Sequence, residues 1–119
     1  MEFNAAIPIW MQVATCIKTE MVTGKLSPGA KLPGGRELAL QYTINPNTAA
    51  RVYQELEKED LVEMRRGMGT YVTEAEERLT KLRAEMAHEA VREYLKKTAS
   101  LGYTRAEAVT LITREDELC

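Results

Sequence analysis

Asn45, Asn47, Thr48 and Arg51 fall within two turns of one predicted helix, and all four carry hydrogen-bonding side chains. None of them stands beside a base that could turn it into a nucleophile, so the chemistry they offer is recognition rather than bond making. An amide can pair with adenine in two places and a guanidinium with guanine, which makes such a set suited to the edges of base pairs. A second group follows in Arg65, Arg66, Gly67, Gly69 and Thr70. Two cations on a glycine-bearing tip suit close approach to a phosphate backbone or a minor groove. Arg36 lies upstream in the first turn of another predicted helix, where a cation opposes the helix dipole. An external anion or base edge would satisfy it, and so would an ion pair with Glu37 or Glu55. Arg51 has the same choice, since Glu55 lies four residues on and such pairs are worth only a few tenths of a kcal/mol.

The stretch 33–60 must position these side chains. It reads as two short helices joined by a tight turn, the first over about 36–42 and the second from Asn45. Asn45 is a good N-cap, and Pro46 follows at the first helical position, where its missing N–H costs nothing. Ala49, Val52, Tyr53 and Leu56 recur at helical spacing and are expected to face a core. Residues 61–72 read as a β-hairpin with a basic, glycine-containing tip. A helix–turn–helix followed by a basic hairpin is the layout of a winged helix–turn–helix.

Upstream, Pro8 opens a helix to about Thr23, with Gly24 as its stop. Ile9 or Trp10, Val13, Ile17 and Met21 form its apolar stripe, and Trp10 is assigned to the core. Ser27-Pro28-Gly29-Ala30 fits a type II turn. Lys31-Leu32-Pro33 is expected to be extended and able to pair as a third short strand beside the wing.

Composition sets the limits. The chain has 119 residues, 45% hydrophobic and 29% charged, as expected for an ordinary globular protein. No apolar run reaches the roughly 18 residues of a membrane span, and the basic-then-apolar pattern of a signal peptide is lacking. Cys16 and Cys119 do not make a disulfide framework, so a reducing, cytoplasmic location is expected. Cys16 is expected to be a small buried apolar residue. His88 stands alone in sequence, and neither a metal site nor a cofactor is expected. The net charge is −2, and residues 1–73 carry as many acidic as basic side chains, eight of each. Affinity for a polyanion must therefore come from clustering on one face.

After residue 73 the pattern changes to long charged helix. Leu79, Leu82, Met86, Ala90 and Tyr94 form one seam, with Val91 and Leu95 beside it. Ser100-Leu101-Gly102 ends that helix, and Thr104-Arg105-Ala106-Glu107 is a capping box that starts another, carrying Ala108, Leu111 and Ile112. A hairpin of about 45 residues rarely builds a core alone. The expected partner is a second copy, through Leu79, Leu82, Met86, Ala90, Tyr94 and Leu111. The hairpin is also too small for a ligand cavity of ~300 Å³ or more. The fold class expected is mainly α with a small β-wing, a winged helix–turn–helix over 1–73 followed by a C-terminal helical hairpin for dimerisation over 74–119.

From Ile9 to Val72 the chain resembles the DNA-binding domain of GntR-family bacterial transcription regulators. The residues that carry the resemblance are Lys25-Leu26-Ser27-Pro28-Gly29, Lys31-Leu32-Pro33, Arg36-Glu37-Leu38-Ala39, Val52-Tyr53-Gln54-Glu55-Leu56-Glu57, Leu61-Val62 and Arg65-Arg66-Gly67-Met68-Gly69-Thr70-Tyr71-Val72. Asn45-Pro46-Asn47-Thr48 and the short remainder after Val72 are similar to the YtrA-like branch. The resemblance implies a homodimeric repressor that binds operator DNA, in a branch that often controls transporter genes. Where many members have Arg this chain has Pro46 and Ala50, so base contacts are not carried over to those positions. Thr43 and Asp60 replace glycines, and Gly34 replaces a common Ser cap. The competing assignment is a winged-helix module that binds protein instead of DNA. An enzyme is not expected.

Overall fold

The computed structural model describes residues 2–118, with side chains through Glu115. It contains α1 (Ile9–Val22), α2 (Gly35–Tyr42), α3 (Pro46–Lys58), β1 (Val62–Arg65), β2 (Gly69–Val72), α4 (Glu76–Ser100) and α5 (Arg105–Leu118). Two compact units divide at Leu82, inside α4.

In the first unit α1 and α2 pack on α3. Val13, Ile17 and Met21 of α1, Leu38 of α2, and Ala49, Val52, Tyr53 and Leu56 of α3 are buried, as their helical spacing predicts. Trp10 departs from its assignment to the core and is only half-buried, as is Cys16. Trp10 keeps the spacing of the Val13, Ile17 and Met21 stripe but stands in the first turn of the helix, whereas Cys16 lies one position before Ile17, off that stripe. Gly24 stops α1 at φ 82°. The 27–30 turn closes with Ala30 N–H donating to Ser27 O at 3.0 Å.

α2 ends at Thr43, a β-branched residue held left-handed at φ 55°, ψ 53°. Its N–H donates to Leu40 O and that of Ile44 to Ala39 O, which satisfies carbonyls at the helix end. The Asn45 side chain then accepts from Asn47 N–H at 2.7 Å and caps α3. Asp60, at φ 60°, closes the other end of that helix. Tyr53 donates its phenol proton to Pro33 O at 2.5 Å, which ties α3 to the segment entering α2. Burial pushes that phenol well above its ordinary range, and Glu37 adds to the effect.

The wing pairs β1 and β2 antiparallel, Val62 opposite Val72 and Arg65 opposite Gly69. The expected third strand over 31–33 is shorter than read and shifted by one residue: residues 30–32 run beside β2 through a single bridge, Lys31 opposite Tyr71. Leu32 N–H donates to Thr70 O, and Val72 N–H to Ala30 O, both at 2.8 Å. Leu79 and Leu82, in the first turns of α4, are enclosed by their own chain at 8% and 2% exposure.

In the second unit Ser100 ends α4, and the turn at Gly102 (φ 91°) leads to α5. The capping box forms as read, Thr104 N–H to Glu107 Oε1 at 2.9 Å and Glu107 N–H to Thr104 Oγ1 at 3.1 Å. Tyr94 donates to Ala108 O at 2.7 Å and ties the two helices. Among the described residues from 83 onward, only Thr98 and Ala108 are buried.

Candidate nucleic-acid interface

The α2–turn–α3 segment presents Arg36, Asn45, Asn47 and Arg51 exposed and Thr48 half-exposed. Asn45 spends its carbonyl oxygen on the cap, so its amide N–H groups are what it can offer outward. Arg36 makes no ion pair among the described residues, and Glu55 is engaged instead by Arg51 and Lys58. The internal partners considered for Arg36 are therefore not used. Arg51 does meet Glu55, but loosely, at 3.8 Å from Nε. Its guanidinium carbon also lies 4.6 Å from the centre of the Trp10 ring. A shallow apolar groove lined by Arg36, Ala39, Leu40, Thr43, Ile44 and Pro46 flanks the start of α3. Leu40, 82% exposed, stands on its rim.

The wing divides its two arginines. Arg65 is half-buried, 4.3 Å above the Tyr71 ring and hydrogen-bonded to Glu63 at 3.0 Å. Those contacts hold it within the hairpin. Arg66 stands at the turn, exposed and without an ion pair among the described residues. The Tyr71 hydroxyl reaches back to Met68 O at 3.2 Å and braces the tip. Gly67 and Gly69 both take positive φ, 75° and 116°. Thr70 departs from the expected set, because its side chain is buried and its carbonyl is paired with Leu32.

Lys31 was not among the expected contacts. It pairs with Tyr71 across the sheet, and its side chain crosses Gly69 so closely that a Cβ there would meet Cε at 3.0 Å. The alternation of strand faces could have marked it once residues 31–33 were read as a strand beside the wing.

A helix capped at its entry, hydrogen-bonding side chains on its outer face and a braced basic hairpin together form a winged helix–turn–helix reading head. The family model for bacterial regulatory proteins of the gntR family matches residues 11–72, from α1 to the end of the wing. The chain belongs to the GntR family. This GntR protein is 39% identical over 106 residues to the HTH-type transcriptional regulator YhcF of Bacillus subtilis, a match covering 89% of this chain and 88% of that protein. It is 42% identical over 71 residues to the HTH-type transcriptional repressor YtrA of the same bacterium, covering 60% of this chain and 55% of that protein. Among solved structures it is similar to a GntR-family transcriptional regulator from Listeria monocytogenes, with TM-score 0.85 and 32% identity over 94% of this chain and 98% of that one. The chain is a DNA-binding transcriptional regulator and not an enzyme. Among the described residues no group of His, Cys, Asp and Glu is placed to hold a metal ion, and no helix is long and apolar enough to cross a membrane.

Proposed function

We propose that the chain is a homodimeric repressor acting in the cytoplasm on a pseudo-palindromic operator near its own gene, with transporter genes as the expected targets. The observation that carries the DNA part is the common outward exposure of Asn47, Arg51 and Arg66 on elements that are capped and braced from behind. For the dimer, support comes from the second unit, which exposes Val91, Leu101, Val109 and Ile112. Of the predicted seam, Met86, Tyr94 and Leu111 are half-buried and Ala90 is exposed, whereas Leu79 and Leu82 are already enclosed by their own subunit. A two-fold dimer places half-site centres about one DNA turn, ~10 bp, or a multiple of it apart.

The basic residues divide by role. Arg51 and Asn47 read base edges from α3, and Arg36 joins them from the start of α2. Arg66 and Lys31 lie along the backbone. Leu40 and Ile44 suit apolar contact with thymine methyl groups. Titration of variants against the operator and a scrambled duplex at several salt concentrations tests this division. Arg66→Ala is expected to weaken both duplexes alike and to reduce the salt slope by about one unit. Asn47→Ala or Arg51→Ala is expected to cost ~1–3 kcal/mol on the operator alone. Equal losses for Arg51→Ala on both duplexes would make it a phosphate clamp. Footprinting on the promoter DNA tests the dimer, and a single asymmetric half-site bound at full affinity would defeat it.

A further inference from the structure

Arg51 is supported by an aromatic ring from a different helix. Trp10 stands in the first turn of α1, half-buried, with the Arg51 guanidinium 4.6 Å from its ring centre. That separation lies within the range of about 6 Å over which a cation is attracted to a ring face. Glu55 faces the Nε edge of the same group at 3.8 Å. With its central carbon over the indole and its Nε edge toward a carboxylate, the group keeps its terminal nitrogens for a partner. Among the described residues those nitrogens make no hydrogen bond. A long side chain loses rotational freedom on docking, and one already stacked loses less.

We infer that Trp10 is a positioning residue for DNA recognition, its indole setting the Arg51 guanidinium in its bound orientation before DNA arrives. The inference rests on the reading that Arg51 contacts DNA. It assigns to α1, otherwise a core helix, a direct part in the precision of the reading head. The neighbouring Ile9 and Met11, both exposed, lack a ring that could serve in its place.

The test is a double-mutant cycle on the full chain, with Trp10→Leu, Trp10→Phe and Arg51→Ala titrated against operator and scrambled duplexes. Holding a long side chain in place before binding spares an ordering cost that corresponds to roughly two- to tenfold in affinity. Trp10→Leu is expected to lose that much on the operator, while Trp10→Phe keeps a ring and stays within about twofold of wild type. In the Arg51→Ala background Trp10→Leu is expected to cost nothing further. The same loss in both backgrounds would overturn the proposal, because Trp10 would then act without Arg51. Trp10 is the only tryptophan in the sequence, so its emission reports the stack without any DNA present. Arg51→Met is expected to shift that emission in the free protein, and an unshifted spectrum would also overturn the proposal. These outcomes are separable from failure of the functional reading, which would appear as a wild-type protein that binds neither duplex.

Discussion

The two units of this chain solve opposite packing problems. The first buries Val13, Leu38, Val52, Leu56, Leu61 and Val72 almost completely within a single copy. The second leaves Val91, Leu101, Val109 and Ile112 more than half exposed, and covers little beyond Thr98 and Ala108. The difference lies in how many directions the apolar residues come from. Three helices and a sheet converge in the first unit, whereas two helices alone have only one shared face in the second. A unit of the first kind carries its stability itself, and under the proposed dimer the second gains its stability by association.

The sharpest way to break that contrast is to damage each unit in its own manner. Leu56→Ala removes a fully buried side chain and is expected to cost about 2–5 kcal/mol, read as a lower chemical-denaturation midpoint for the head even at high protein concentration. Insensitivity to this change would mean that the head does not depend on its internal core. Ile112→Asp adds a charge at a surface that is 61% exposed in one subunit, so the isolated fold should tolerate it. In the proposed dimer it should weaken association by about 2–3 kcal/mol, roughly a hundredfold, measured by sedimentation equilibrium. An unchanged dissociation constant would move the interface elsewhere.

Two smaller effects refine the comparison. Thr43 is a β-branched residue in the left-handed region, which costs roughly 1–2 kcal/mol, against about 0.5–1 kcal/mol of backbone freedom that glycine would lose on folding. Thr43→Gly is therefore expected to stabilise the head by about 0.5–1 kcal/mol, with thermal melting as the readout, and a lowered midpoint would contradict it. In the second unit, the Thr104 backbone N–H and then its hydroxyl hold the Glu107 carboxyl below the usual carboxylate range. A carboxylate whose folded value is depressed contributes fully above its unfolded value and is lost as pH falls through the folded one. The protection of amides at the start of α5, measured against their intrinsic exchange rates, should therefore fall on acidification through and below the carboxylate range. Glu107→Gln should remove most of that pH dependence, and an unchanged profile in the variant would assign it to another group.

Local chemistry was legible in the sequence, because it is written in neighbouring residues. The Asn45–Pro46 start of α3, the Thr104–Glu107 box, the turn at Gly29 and the glycine-tipped wing each depend on side chains within four positions of one another. Burial along α1 and α3 was legible too, since spacing alone says which residues share a face. What covers a face is a different matter. The seam on α4 has a regular pattern throughout, yet Leu79 and Leu82 are enclosed while Ala90 and Val91 are open. Trp10 fits an apolar stripe as well as its neighbours do, and its meeting with Arg51 depends on the packing of α1 against α3. Thr70 shows the same limit, since strand alternation cannot say which side receives the third strand until residues 30–32 are in place.

That third strand has a kinetic consequence. A two-stranded ribbon on its own is marginal in water. Here the backbone of residues 30–32 is stitched to β2, Lys31 lies across Gly69, and Tyr71 holds the carbonyl of Met68. The wing therefore reaches a duplex already shaped, with little ordering left to do at the moment of contact. Encounter should be governed by diffusion and charge rather than by a folding step, and changes to the tip that leave its charge alone should act on dwell time more than on arrival.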